Sequence, residues 1–381
     1  MRRWMFFISV LPCIWPAQEC TAAPRYTVTT ISSLVGPSAD AWSINNSGQL
    51  VGSMTVQVEG RSERHAYLWD PVSGIRDIPP AGYNAVARDV SDSGQVVGFI
   101  GPSSAIVPLD YDWFPSGYHA FSWQDGDMID LGPLDTGCSA AYAVSSSGQV
   151  VGSRTGKPYD VLGTAFIWDA GDGMQDLPGG SLAAAFDIGN SGAAVGRSME
   201  TASLWHDGVM TDIGALIGDG WSSALAINNV TQVVGAYQGT RGISSAFLWD
   251  AQTGMRDLGS LADPSYELHY TVAGAVNNRG QIIGMSDIGY TYGGRNEIIH
   301  AFIWEDGAMS DLNDLVEPGT LELTAGMAIN DRGQIVIGER SYKIPIPGRR
   351  GHVLLTPIPE PESLLALAVG LAGLALRRRG T

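Results

Sequence analysis

The chain has 381 residues, 44% of them hydrophobic, which is enough material for a sizeable core or one large repeat fold. Its 49 glycines and 20 prolines, against 16% charged residues, point to tight turns and short strands rather than salt-bridged helices. A net charge of −17 opposes binding to phosphate backbones, which Lys and Arg must neutralise, so nucleic acid is excluded as an expected partner.

Residues 1–23 read as a secretory signal peptide: Arg2 and Arg3 form the positive start, Trp4 to Ile14 is apolar, and Thr21, Ala22 and Ala23 suit cleavage. A membrane anchor would need about 20 apolar residues, and this run is shorter. Cys20 follows Gln18 and Glu19 rather than the small residues of a lipoprotein site. Removal of the signal leaves Cys138 as the one thiol, expected to be a buried filler, so no intramolecular disulfide supports the fold.

From residue 24 to 358 the chain repeats. SINNSGQLVG at Ser43 returns as DVSDSGQVVG at Asp89, AVSSSGQVVG at Ala143, DIGNSGAAVG at Asp187, AINNVTQVVG at Ala226, AVNNRGQIIG at Ala275 and AINDRGQIVIG at Ala328. Each reads as a β-hairpin whose polar turn closes on a glycine able to take positive φ, such as Gly48 or Gly280. Thr231 stands at that place in the fifth copy, where a β-branched residue predicts a turn that is either strained or differently wound.

A second half-unit alternates with the first: HAYLWD at His65, HAFSWQDGDMIDLG at His119, TAFIWDAGDGMQDL at Thr164, TASLWHDGVMTDIG at Thr201, SAFLWDAQTGMRDLG at Ser245 and HAFIWEDGAMSDLN at His300, with a degenerate GHVLLTP at Gly351. Ala301 and Ile303 face one way and Phe302 and Trp304 the other, as in a strand covered on both sides. The two halves make a four-stranded unit of about 47 residues, the size of a propeller blade. The seventh unit stops after three strands near Pro357, while YTVTTISSL from Tyr26 stands alone at the other end. The expectation is all-β: a seven-bladed β-propeller closed by pairing of the N-terminal strand with the last repeat.

Long runs at Thr55–Glu63, Ile100–Tyr118 and Asp287–Ile299 read as loops on one face, where function would be built. Tyr111, Trp113, Phe114 and Tyr118 in the second, with Tyr290 and Tyr292 in the third, are candidate ligand-binding residues, because flat rings stack on sugar faces while neighbouring acids bond hydroxyls. The alternative is that these rings only pack the loops down. His65, His119, His300 and His352 could suggest a metal ring. Their replacement by Thr or Ser in three repeats instead predicts a structural hydrogen bond at a strand start, and no metal is expected. Acidic turns such as Asp169 to Asp172 read as solvated turn residues rather than a calcium loop. No nucleophile elbow, metalloprotease helix motif or phosphate loop is present, so no catalytic residue is assigned and no cofactor is expected. Carboxylates brought together only by folding could still form a glycosidase or lyase pair.

Residues 359–381 change character. Pro359, Glu360 and Pro361 precede an apolar run, Leu364 to Leu376, and then Arg377, Arg378 and Arg379. A 13-residue helix spans about 20 Å, short of the ~30 Å hydrocarbon core, so membrane contact through it would be transient, with the arginines on the cytoplasmic side. This order resembles the PEP-CTERM sorting signal, which implies a Gram-negative host that makes exopolysaccharide and an exosortase as processing partner. The repeats resemble the HAF-repeat family of probable extracellular proteins, whose tripeptide stands at His119-Ala120-Phe121 and His300-Ala301-Phe302. That resemblance brings no reaction with it. The expected role is an exported, surface- or matrix-associated binding or scaffold protein without catalysis, tied to exopolysaccharide or biofilm and passing through an inner-membrane-tethered precursor. A carbohydrate-active hydrolase or lyase, and a structural matrix protein that binds other proteins, are the alternatives.

Overall fold

The structure is a computed structural model that describes residues 24–78, 82–102, 117–132, 137–155, 163–214, 220–238, 244–263, 270–290, 297–319, 321–338 and 351–359. The signal segment 1–23 and all of the tail beyond Pro359 therefore lie outside the described residues. What is described is a propeller-like all-β fold, with helix limited to single turns at Ile31–Leu34 and Leu312–Leu315.

Strand β1 (Tyr26–Thr30) stands apart from the strands that follow it in sequence. The first sheet is β2 (Asp40–Ile44), β3 (Leu50–Val58), β4 (Arg61–Asp70) and β5 (Gly74–Asp77), and the second is β6 (Tyr83–Val90), β7 (Val96–Pro102), β8 (His119–Gln124) and β9 (Asp127–Asp130). A seven-stranded sheet holds the next two repeats: β10 (Cys138–Val144), β11 (Val150–Thr155), β12 (Gly163–Asp169), β13 (Gly173–Ile188), β14 (Ala194–Ser198), β15 (Thr201–His206) and β16 (Val209–Asp212). The long β13 ends one repeat and begins the other. Then come β17 (Ser222–Ile227), β18 (Val233–Gln238), β19 (Ser244–Asp250) and β20 (Gly254–Asp257), followed by β21 (Thr271–Val276), β22 (Ile282–Tyr290), β23 (Glu297–Glu305) and β24 (Ala308–Asp311). The last sheet is β25 (Ala325–Ile329), β26 (Ile335–Gly338), β27 (Val353–Pro357) and, as its fourth strand, β1. Pairing of β1 with β27 is antiparallel, from Tyr26 opposite Pro357 to Thr30 opposite Val353. The N-terminal strand is shorter than the sequence pattern suggests: at Ile31 the chain winds into a helical turn, with the Ser33 hydroxyl donating to the Thr30 carbonyl at 2.6 Å.

Apolar clusters fill the gaps between neighbouring sheets. Val51, Ala66 and Leu68 meet Ala87, Val96 and Phe121 of the next sheet, and Tyr26 joins Ile303, Ile335 and Leu355. Each fully buried ring of this kind contributes about 2–3 kcal/mol.

One local device recurs in all seven repeats. The first strand of each carries a β-bulge, which leaves Trp42, Arg88, Tyr142, Phe186, Leu225, Gly274 and Met327 outside the regular pairing. The bulge presses a carbonyl against the neighbouring strand, and the glycine of the VVG motif sits there. A Cβ at Gly52 would lie 1.9 Å from the Asp40 oxygen, and one at Gly196 2.0 Å from the Ala184 oxygen. Opposite that glycine on the third strand stands the aromatic residue of the HAF motif: Tyr67 faces Gly52, Phe121 faces Gly98, and Phe302 faces Gly284, each ring fully buried. The ring covers the surface that a glycine leaves bare. Ser203 replaces it opposite Gly196.

Of the three runs read as loops, the first is strand, and so are the described parts of the third. Thr55 to Glu63 continues the β3–β4 ladder to Val58 opposite Arg61, closed by Glu59 and Gly60 at φ 49° and 79°. The β22–β23 ladder likewise extends to Tyr290 opposite Glu297. Alternation of side chains satisfied a two-stranded ribbon there, where length alone suggested a loop.

Candidate functional site

The turns of the seven first hairpins converge on one central opening, lined by the polar turn residues together with strand-end residues such as Ile44, Val90 and Ile329. In the first of these turns Asn45 Oδ1 accepts the amides of Ser47 and Gln49, and Gly48 takes φ 83°. Thr231 adopts φ 62° in the same turn, with its amide bonded to the Asn228 carbonyl at 3.0 Å. Of the two outcomes foreseen, the turn is thus strained, not rewound.

The next residue of each turn reaches its neighbour. The Asp331 amide donates to Asn46 Oδ1 at 2.7 Å, and the Asn46 amide donates to Asp92 Oδ1 at 2.8 Å. The Ser146 amide donates to Asn190, Asn190 to Asn229, Asn229 to Asn278, and Asn278 to Asp331, all at 2.8 to 2.9 Å. Between Asp92 and Ser146 the circuit is open, because a serine hydroxyl lies one bond closer to the backbone than an Asn or Asp oxygen. Below this ring a second set crosses between repeats: Asn228 Nδ2 donates to the Asn277 carbonyl, Asn277 to that of Asn330, and Asn330 to that of Asn45, at 2.9 to 3.0 Å. The sequence alone marked these residues as turn formers. Their recurring ability to accept a hydrogen bond, with Asn or Asp everywhere except Ser146, is the signal that could have revealed the ring.

Deeper along the strands, two carboxylates occupy a position that other repeats fill with Ser43, Ala143, Ala226, Ala275 and Ala328. Asp89 accepts from the Ser43 hydroxyl at 2.6 Å and the Val144 amide at 2.9 Å. Asp187 accepts from the amides of Ile188 and Ile227, both at 2.8 Å. Enclosure in the wall pushes the Asp187 carboxyl up to about 7; the Ile227 amide opposes that rise, and the charge of Asp89 adds to it. Burial raises Asp89 as well, against the Ser43 hydroxyl. An ionisable residue at an alanine position was a readable anomaly, but its partner two repeats away was not.

The histidines lie at the outer side of the sheets. His65 Nδ1 is 2.8 Å from Asp77, His119 Nδ1 is 3.0 Å from Asp130, and His300 Nδ1 is 2.5 Å from Asp311. Each bonds the aspartate of the strand that follows. In two of the three repeats where His is replaced, another side-chain donor serves: Arg154 pairs bidentately with Asp176, and the Tyr237 hydroxyl bonds Asp257. His352 instead contacts the Ala41 backbone and stands 3.6 Å from Asp40. Among the described residues no group of three His, Cys, Asp or Glu is placed to hold a metal ion. Acidic turn residues also point inward to backbone: Asp169 Oδ1 accepts the amides of Gly171 and Asp172 at 2.8 Å each.

Of the aromatic candidates, Tyr111, Trp113, Phe114 and Tyr292 lie outside the described residues, and Tyr290 is placed only as the last residue of β22. Tyr118 is corrected. It is fully buried, edge-on to Phe99 at 5.6 Å, and desolvation pushes its hydroxyl up to about 12, so it packs into the sheet and offers no ring face to a ligand. Cys138 is buried and free, packed with Val86 and Phe99. Among the sorting residues, Pro359 ends the described chain, while Glu360, Pro361 and Arg377 to Arg379 lie beyond it. No described helix is long and apolar enough to cross a membrane.

Residues 357–379 match the PEP-CTERM protein-sorting motif, so the chain carries a signal for export and sorting by exosortase. No curated protein matches the chain. Among solved structures it is similar to the Pyrococcus horikoshii acylaminoacyl peptidase, at 12% identity and a TM-score of 0.36 over 80% of this chain, and spans 58% of that protein's length. It is also similar to the β-propeller domain of the Trilobed protease from Pyrococcus furiosus, which has an open velcro topology, at 10% identity and a TM-score of 0.36 over 74% of this chain and 99% of that one.

Proposed function

We propose that the exported body, residues 24–358, is a seven-bladed propeller that binds an extracellular polymer at the cell surface or in the matrix, without catalysis. The observation that carries this reading is that the repeated polar chemistry is spent on internal bonds. The histidines bind aspartates within their own sheets, and the turn Asn and Asp residues bind the next repeat. Ring closure is supported by the bonds that join Asn330 and Asp331 to Asn45 and Asn46, and by the pairing of β1 with β27. The HAF-type repeats and the sorting motif together fit a Gram-negative envelope, an inner-membrane-tethered precursor, and exopolysaccharide as the polymer. Trp113, Tyr111, Phe114, Tyr290 and Tyr292 are the proposed polymer contacts at the insertions. Binding of the full chain to exopolysaccharide from its host, with loss on Trp113→Ala, tests the reading. Absence of binding by the wild-type chain rejects it.

A second reading, a hydrolase or lyase, is favoured by one observation: Asp187 is raised and feels the charge of Asp89, as a general acid beside a carboxylate would. It requires new reducing ends or unsaturated products from polysaccharide, lost in Asp187→Ala. Polymer binding without such products excludes it.

A further inference from the structure

We infer that the mouth of the central opening is a second contact site, selective for neutral saccharide. The inference rests on the proposed function only for the class of ligand, and it places the contact on the turn side of the first hairpins. The argument starts from what the ring leaves unspent. Its Oδ1 atoms are consumed by neighbouring amides, and Asn46 Nδ2 is divided between Asp92 and Asp331 at 3.0 Å each. The Nδ2 groups of Asn190 and Asn229 have no partner among the described residues, and both side chains are exposed. Asp92 uses two bonds, from the Asn46 amide and Asn46 Nδ2, of the roughly four that a carboxylate can accept. Asp92, Ser146, Asn190 and Asn229 follow one another round the mouth, so spare acceptors and donors lie side by side within one cavity.

Saccharide hydroxyls donate and accept in turn, which is the complement of that arc. An anionic sugar is disfavoured. Asp92 and Asp331 lie in the mouth, and the turns after the third strands, on the same side of the sheets, carry Asp125 and Asp207, both exposed. Water-facing amides already held in place by the ring lose little freedom on binding.

The test converts donors to acceptors without disturbing the ring. Asn190→Asp and Asn229→Asp keep the Oδ1 that the neighbouring amide needs, and Asp92 and Asp331 already make that same bond at 2.8 Å. The full chain is titrated with cello- and malto-oligosaccharides, with oligogalacturonate as the anionic probe, and assayed against the corresponding insoluble neutral polymers. The expected result is binding of a neutral oligosaccharide, at least tenfold weaker in the double variant, an unchanged melting temperature and no binding of oligogalacturonate. Trp113→Ala should leave short-oligosaccharide affinity unchanged. Equal affinity in the double variant and wild type, tight binding of oligogalacturonate, or capture by insoluble polymer alone overturns the inference while leaving polymer binding intact. A wild-type chain that binds no saccharide rejects both.

Discussion

The inner and outer hairpins of each repeat are built under different constraints. Inner hairpins are nearly uniform: every one has the bulge and the polar turn, and all but the last, where Ile337 stands opposite Gly326, have the close glycine, because all seven must meet round one opening and any deviation would be felt by two neighbours. Outer hairpins vary. Their aspartates are satisfied by His, Arg or Tyr, and their turns alternate between the Asp70 or Asp250 type, which folds back on amides two and three residues on, and the Asp125-Gly126 or Asp306-Gly307 type, with both residues at positive φ. At the rim only the immediate neighbours must agree, and water can serve any group left over.

If that contrast is right, the largest effect belongs to the glycine under the bulge. Gly196→Ala drives a Cβ into the Ala184 carbonyl and should cost about 3 kcal/mol, read by denaturant unfolding. Gly338→Ala, in the last repeat, meets only the side chains of His352 and Met327 at 3.0 Å and should cost about 1 kcal/mol or less. Equal costs would show that the carbonyl pressed by the bulge is not what fixes the inner hairpin.

The opening should also show in pH dependence. Asp187 has its folded pKa raised from an ordinary carboxylate value to about 7, so the folded state holds a proton that the unfolded chain releases between those limits. Its contribution is therefore fully present below about pH 4 and is lost as pH rises through 7, at no more than about 1.4 kcal/mol per pH unit. Asp187→Ala, the residue other repeats carry, should flatten the fall in thermal midpoint between pH 5 and 8. An unchanged slope would reject the coupling.

Smaller effects sharpen the comparison. Thr231→Gly should relieve the positive φ and stabilise by about 1 kcal/mol, seen as a higher melting temperature. Ser146→Asn supplies the missing acceptor for the Asp92 amide and should add roughly 0.5–1 kcal/mol by the same measurement. His119→Ala, at the rim with an exposed aspartate partner, should change stability by less than about 0.5 kcal/mol. A large loss there would mean that the outer pairs matter as much as the ring.

Much was legible in order along the chain. The hairpins, their glycine turns, the doubly covered third strand and the sorting tail were readable because each depends on residues a few positions apart, through side-chain alternation, allowed φ and local turn bonding. Tertiary structure alone decided the rest. It turned one supposed loop and the described ends of another into ribbon, buried Tyr118, explained the VVG glycine through a bulge on another strand, and set Asp187 within reach of the charge on Asp89. The physical reason is that Oδ1 of Asn46 and the amide of Asp331 belong to residues 285 positions apart, and no local pattern records which distant group will satisfy a buried or converging polar atom.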